Sequence, residues 1–262
     1  IILPMLPHKN LIPDINLTPY SIWLATVVVS GISYLSYLLK RYVFHESGTL
    51  VSGIIGGLYS STATISVLAR KSRKASEQEA TDYVAAMLLA VSMMFLRFMI
   101  LILIFSREIF LSIYPYLLTM AVVAAIVAWF IHSRQKRPED QPAETEEDDS
   151  SNPLEFKVAL IFAVLFVIFT FLTHYTLVYA GTGGLNLLSF VSGFSDITPF
   201  ILNLLQGGNI PATIVGACIM QAIISNIVVN MFYAIFFSSR RKEMLPYVWK
   251  GFLTVIGINA VL

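Results

Sequence analysis

Charged residues are excluded from the long apolar stretches of this chain and collect between them. Of the 17 Lys and Arg in the 262 residues, only Arg97 lies deep inside an apolar stretch. Charged residues make up 13% of the sequence and hydrophobic residues 56%, whereas soluble globular domains carry about 25% charge. Several stretches have the roughly 20 apolar residues that a helix needs to cross a bilayer. Because backbone groups in lipid must bond internally, the sequence predicts an all-α membrane protein.

Eight apolar segments are predicted, grouped as two repeats of four. Their approximate bounds are 19–39, 48–69, 81–105, 110–132, 154–180, 184–206, 210–237 and 245–262. The predicted domains are a first membrane repeat at 1–132, a charged linker at 133–153 and a second membrane repeat at 154–262. The first repeat begins with Ile1–Pro7, which has the composition expected for the tail of an earlier helix. The linker has too little apolar surface to fold and is predicted to be solvated.

Similar glycine-rich stretches in the second and sixth segments indicate an internal duplication. The second segment contains GIIGGLYSSTAT, and the sixth contains FVSGFSDITPF. Aligning Gly57 with Gly193 also aligns Thr62 with Thr198, because the members of each pair have the same separation along the chain. The two halves are therefore predicted to be structural repeats.

The basic residues distinguish two ways of threading the eight segments. If all eight cross the bilayer, giving parallel repeats, nine basic residues lie on one side and seven on the other. If the second and sixth segments instead return to the side they entered from, fourteen lie on one side, against Lys9 and Arg107. Cytoplasmic loops carry an excess of Lys and Arg. The sequence therefore favours re-entrant segments at 48–69 and 184–206, with the linker in the cytoplasm and the chain in the inner (plasma) membrane.

Three full crossings per repeat would give an inverted topology, because an odd number turns the second repeat over. The two glycine-rich hairpins would then enter from opposite faces and meet near the midplane. Non-helical backbone is tolerated there only inside protein or beside a watery cavity. The predicted helix breaks are Gly56, Gly57, Gly193 and Pro199. Eight full spans with parallel repeats are the alternative.

Hydroxyl residues beside the first break are candidate ion ligands. Ser60, Ser61, Thr62 and Thr64 follow the glycines, and hydroxyls beside broken helices can bind ions. Helix packing by small residues, with each hydroxyl bonded to its own backbone, accounts for the same motif. Both interpretations are left open.

Asp196 and Arg97 are the charged residues predicted deep in the membrane. An intramembrane charge costs about 2.5–3.5 kcal/mol on insertion scales, so it usually faces a cavity or a partner. Asp196, beside Thr198, is predicted to contact a cation or a proton. The Arg97 guanidinium suits a carboxylate, phosphate or sulfate; the alternative is a structural counter-ion for Asp196 or for backbone carbonyls. The sign of the substrate charge is left open.

Two polar stripes in the seventh segment predict a face inside the helix bundle. They pair Gln221 with Ser225 and Asn226 with Asn230, each four residues apart. Interhelical hydrogen bonding is the first interpretation, and a substrate contact at Asn226 is the second.

Other classes of function lack a sequence signal. The four His and the lone Cys218 have no metal-ligand spacing, and no GxxxxGK[ST] loop is present. Neither a metal nor a cofactor is expected. The net charge of +1 predicts no nucleic-acid partner. Asp196 is not accompanied by a second acidic residue for general acid–base catalysis, so no enzyme is predicted.

The motif GIIGGLYSSTATISVLARKS, with SIWLATVVVSGISYLSYLL before it and MMFLR after it, carries a family resemblance. The chain resembles the uncharacterised membrane family found carboxy-terminal to MgtC/SapB-type domains. The resemblance covers essentially the whole chain and is most specific from Trp23 to Arg73. It implies an integral membrane protein of unassigned function, an upstream MgtC/SapB-like membrane domain and a loose association with magnesium homeostasis.

Two hypotheses of function follow. The first is a transporter or channel-like permease for a small ion, with its site at the midplane between the two repeats. The alternative is a non-transporting regulatory or scaffolding module for an upstream MgtC/SapB-like domain or a partner pump. The expected partners are the lipid bilayer and a small ion; a homo-oligomer is left open.

Overall fold

The computed structural model describes residues 3–12, 15–43, 48–73, 75, 77–133, 156–207, 210–238 and 244–261. These residues form eight α-helices, so the all-α fold class is confirmed. The helices are α1 (Pro19–Leu38), α2 (Thr49–Lys71), α3 (Glu77–Phe105), α4 (Arg107–Ser133), α5 (Phe156–Ser192), α6 (Ile197–Gln206), α7 (Ala212–Ser238) and α8 (Leu245–Val261). All but the first residue of the predicted linker at 133–153 lies outside the described residues.

The fifth and sixth predicted segments join within α5, which continues to Ser192. The backbone leaves helical geometry at Gly181, where φ is 60°. Glycine adopts positive φ without steric strain because it has no Cβ. Gly181 therefore divides α5 into α5a (156–180) and α5b (182–192), between the two predicted segments.

Six of the eight described helices are long and apolar enough to cross a membrane, judged by length and composition. They are α1, α2, α3, α4, α5 and α7. Large apolar side chains such as Trp129 and Phe236 are exposed, as expected for a surface in contact with lipid. In the most apolar window of each helix, 56% of the residues are buried in α3 and in α7, against 17% in α1. α3 and α7 therefore carry the most extensively packed faces.

The described residues group into two compact units. One comprises the described parts of Ile1–Tyr34, Ile100–Tyr114 and Asn152–Asn226; the other comprises those of Leu35–Met99, Pro115–Ser151 and Ile227–Leu262. The division falls within α1, α3, α4 and α7. Each unit therefore contains one of the two glycine-rich elements together with the first part of the helix that follows it. The domain division into repeats at 1–132 and 154–262 stays a prediction.

Candidate functional site at two helix breaks

The chain reverses direction at Ser60, inside α2. The backbone there is extended, with φ −158° and ψ 109°, between α2a (49–59) and α2b (61–71). A Cβ added to Gly56 would lie 2.5 Å from Thr64 Oγ1, although residues eight apart in a straight helix are separated by about 12 Å along the axis. α2a and α2b therefore fold back on each other as a helical hairpin.

The glycine-rich motif predicts a break at Gly56 and Gly57, but the break lies three residues after Gly57. A Cβ added to Gly57 would lie 2.6 Å from both Cα and O of Ala90 in α3. Gly53 approaches the backbone of Ala86 in the same way, with its Cβ position 2.3 Å from the carbonyl oxygen. Gly53 and Gly57 thus let α2a pack backbone to backbone on α3.

Side chains cap both helix ends at the first break. Ser60 Oγ accepts a hydrogen bond from the Ala63 N–H at 3.3 Å, which is N-cap geometry for α2b. Arg97 Nη1 donates to the Tyr59 carbonyl at 2.6 Å, at the carboxyl end of α2a. Arg97 is only 7% exposed. Its guanidinium bonds a carbonyl that has no helical partner because the helix is broken there. This contact fits the structural alternative in which Arg97 serves backbone carbonyls; an Arg97–Asp196 pair stays a prediction.

Three further hydroxyls follow the first break without bonding their own helix. Ser61 is buried, while Thr62 and Thr64 are half-buried. Among the described residues none of these three hydroxyls has a hydrogen-bond partner, whereas Ser66 Oγ donates to the Thr62 carbonyl at 2.8 Å. Membrane-helix hydroxyls commonly bond a carbonyl three or four residues back. The hydroxyls of Ser61, Thr62 and Thr64 are therefore available to bond another group.

α5b runs in the same direction as the first half of α7. Three side-chain contacts advance together along both helices. They are Cys218 Sγ to Asn186 Oδ1 at 3.7 Å, Ser225 Oγ to the Phe190 carbonyl at 2.7 Å, and Asn226 Nδ2 to the Gly193 carbonyl at 3.1 Å. The start of α5b is consequently level with the start of α7, and Gly193 is level with the middle of α7.

The short link from α6 to α7 requires α6 to return beside α5b. If α6 continued in the direction of α5b, its end would lie about 35 Å beyond the start of α7. Residues 207–211 can bridge only about 20 Å. The chain therefore reverses at 193–196, and 182–206 forms a second helical hairpin.

The second break is capped in the same way as the first. The Asp196 carboxylate accepts from the Thr198 N–H at 3.0 Å and N-caps α6. Asn226 Nδ2 donates to the Gly193 carbonyl and, at 3.5 Å, to the Ser195 carbonyl. Both break ends thus have side-chain partners.

The two residues predicted to break the second element have different positions. Gly193 lies in the turn, where an added Cβ would be 2.4 Å from Ser225 Cβ. Pro199 lies within the first turn of α6, where a missing backbone N–H breaks no helical bond. The prediction of a break at Pro199 is therefore corrected: the turn ends before it.

Exposure separates the residues around the second break. Asp196 and Ser195 are exposed, and Phe194 is 60% exposed. Thr198 and Asn226 are buried. The Asp196 carboxylate is therefore accessible, although it caps α6, whereas Thr198 and the Asn226 amide are covered.

The two breaks are equivalent at the sequence offset that aligns Gly57 with Gly193. The same offset relates Ser60 to Asp196, and each of these residues N-caps the returning helix of its hairpin. Gly57 and Gly193 each face the following helix, at Ala90 and Asn226, which are again related by that offset. The groups covering the carbonyl ends differ, since the first break uses a guanidinium and the second an amide.

Sequence reasoning missed the role of Ser60, although a signal existed. The alignment of Gly57 with Gly193 also aligns Ser60 with Asp196, and both are strongly preferred N-cap residues. It also missed the 2.7 Å contact between His132 Nδ1 and Asp82 Oδ1, two residues that no spacing rule connects. The burial predicted for the α7 stripes is confirmed for Ser225, Asn226 and Asn230.

Apolar helices long enough to cross a membrane, with breaks inside two of them, define a multi-pass helical membrane protein. The chain belongs to the family described as "Domain of unknown function (DUF4010)", whose model matches residues 27–238 and so includes both breaks. It is similar to an uncharacterized protein of Aquifex aeolicus (strain VF5), with 24% identity over 226 residues that cover 84% of this chain and 95% of that protein. No solved structure matches the chain. Membership of an uncharacterised family is therefore confirmed, and the association with an MgtC/SapB-type domain stays a prediction.

Proposed function

We propose that this chain is a membrane transporter or channel-like permease for a small ion, built from two inverted repeats. The observation that carries the proposal is the pair of helical hairpins. Their N-cap residues, Ser60 and Asp196, are related by the sequence offset that aligns Gly57 with Gly193. Broken helices of this kind present backbone and side-chain polar groups inside the bilayer, where transporters bind their ions.

Both hairpins are re-entrant in this proposal. Each arm is about 15–17 Å long, half of the roughly 30 Å hydrocarbon thickness, so each break would lie near the midplane. Re-entrance also leaves fourteen basic residues on one side and two on the other, as the positive-inside tendency requires. We assign that side to the cytoplasm and the chain to the inner membrane, so the linker at 133–153 is cytoplasmic.

Each break contributes a different kind of ligand. The first offers the hydroxyls of Ser61, Thr62 and Thr64, which bond no other described group. The second offers the exposed carboxylate of Asp196, with Thr198 beside it. Their chemistry suits direct contact with an ion.

The other predicted site residues position the breaks. Arg97 and Asn226 hold backbone carbonyls at the two turns, and the Arg97 guanidinium also brings a positive charge to the first of them. Ser60 holds the first turn as an N-cap. Loss of these groups would change ion flux by displacing the ligands.

Flux through proteoliposomes tests the ion ligands. With a panel of small cations and anions, we expect the Asp196→Asn and Ser61→Ala variants to lower flux of the transported ion at least tenfold, as expected for loss of about 1.4 kcal/mol of binding or barrier stabilisation. The matched controls are Glu108→Gln, at an exposed carboxylate, and Ser133→Ala, at a hydroxyl bonded to its own helix. Flux that is unchanged in both site variants would refute the assigned ligands.

A non-transporting scaffold is the second candidate, and one observation favours it. Ser60, Asp196, Arg97 and Asn226 all bond backbone groups at the breaks, which is what a rigid module needs. The same flux assay decides between the candidates, because a scaffold gives no flux above that of empty liposomes for every ion in the panel.

A further inference from the structure

A buried polar cluster lies between α5a and α6, at the base of the second hairpin. Asn203 Nδ2 donates to Thr170 Oγ1 at 2.7 Å, and both residues are 5% exposed. Asn203 is seven residues after Asp196, about 10 Å along the helix. The cluster is therefore separate from the candidate ligands at the break.

Two polar atoms of this cluster are buried without a partner among the described residues: Thr173 Oγ1 and Gln206 Nε2. A Cβ added to Gly184 would lie 2.8 Å from Thr176 Cγ2, eight residues earlier, so α5b folds back along α5a. Because α6 runs opposite to α5b, α6 runs parallel to α5a. Thr173 and Gln206 each follow the bonded pair by three residues, which is about one turn. This register places the two unpartnered groups about one turn beyond the bond between Thr170 and Asn203.

The unpartnered hydroxyl of Thr173 contrasts with its neighbour. Thr170 Oγ1 donates to the Phe166 carbonyl of its own helix at 2.9 Å, and Thr173 makes no such bond. An unsatisfied buried polar group costs about 1–3 kcal/mol, and native structures rarely tolerate one without a bound water or ion. Two such groups together indicate a ligand between them.

The donor set favours a monovalent cation. Hydroxyl and amide side chains supply uncharged oxygens, whereas divalent magnesium and calcium sites rely on carboxylates. The Gln206 amide can turn its oxygen toward the cluster, since amide orientation is assigned from hydrogen bonding. Gln206 is also the last residue of α6, and a helix carboxyl end carries negative partial charge. We infer that Thr173, Gln206 and Asn203 bind a monovalent cation such as Na⁺, independently of the proposed ion path.

Thermal unfolding of the full chain in detergent tests this site. We expect NaCl to raise the Tm saturably relative to choline chloride at equal ionic strength, with the folding equilibrium shifted about tenfold at ten times the Kd. Thr173→Val and Gln206→Leu should abolish the shift. Thr173→Ser, which keeps the hydroxyl, should retain it.

The matched control is Thr254→Val, at an exposed hydroxyl that donates to the Lys250 carbonyl of its own helix. This variant should keep the full response to Na⁺. An equal Tm in NaCl and choline chloride for the unaltered protein would overturn the proposal, as would a full response in Thr173→Val. Because the readout is stability, a negative flux assay leaves this result unaffected.

Discussion

Gly57→Ala is expected to destabilise the folded protein severely. The new Cβ would lie 2.6 Å from two backbone atoms of Ala90, and a backbone cannot rotate away as a side chain can. α2a would have to move away from α3, so that the packing around Gly53 is lost as well. Overpacking of a tight core costs about 1–3 kcal/mol, occasionally more. Folded yield and Tm in detergent, measured by size-exclusion chromatography and a thermal scan, give the result.

Gly31→Ala is the matched control for this substitution. Gly31 lies in α1, and an added Cβ there has no atom within 4 Å. Alanine is favoured over glycine in a helix by about 0.8–1 kcal/mol, so this variant should keep or raise the Tm. Equal stability of Gly57→Ala and Gly31→Ala would contradict the close packing of α2a on α3.

Arg97→Met is expected to produce the second large loss. The guanidinium is buried and donates to the Tyr59 carbonyl at the end of α2a. Methionine fills similar volume but leaves that carbonyl without a donor in an apolar environment. A hydrogen bond to a charged group contributes about 1.5–3 kcal/mol, so the Tm should fall by several degrees.

The comparison for Arg97 is Arg107→Met, because Arg107 is exposed at the start of α4. That change should leave the Tm nearly unaltered. A simple cost of a buried charge predicts the reverse, since removing Arg97 would then stabilise the protein. A higher Tm for Arg97→Met than for the unaltered chain would exclude the capping role.

The helical fold and its segment bounds follow from hydropathy alone, because apolar runs of about 20 residues have few alternatives in lipid. Hydropathy does not separate a crossing helix from a hairpin of two half-length arms, since both present the same apolar composition. The break at Ser60 depends on one extended residue. The glycines before it suggest a break, but Gly53 and Gly57 instead pack against α3. At the first break, the glycines therefore mark the contact with α3 rather than the turn.

The candidate site was predictable only in part. Asp196 and Arg97 stand out because they are charges in apolar runs, yet their contacts to backbone groups come from the turns themselves. The pair Thr173 and Gln206 carries no sequence signal, since isolated polar residues are common in membrane helices. Their relation depends on α6 running parallel to α5a, which only the second reversal of the chain creates.

Accessibility of introduced cysteines tests the central claim, that both broken elements return to the side they came from. The background is Cys218→Ala, which removes the single native cysteine. Single cysteines then replace Gly48 and Lys71 at the two ends of α2, or Gly183 and Pro211 at the two ends of the second hairpin. A membrane-impermeant maleimide is applied to intact cells and to inverted vesicles.

Gly48→Cys and Lys71→Cys are expected to react only from the cytoplasmic face, and Gly183→Cys and Pro211→Cys only from the opposite face. Labelling of the two members of either pair from opposite faces would contradict it. In that case the element would cross the bilayer completely, and the inverted repeat would be excluded.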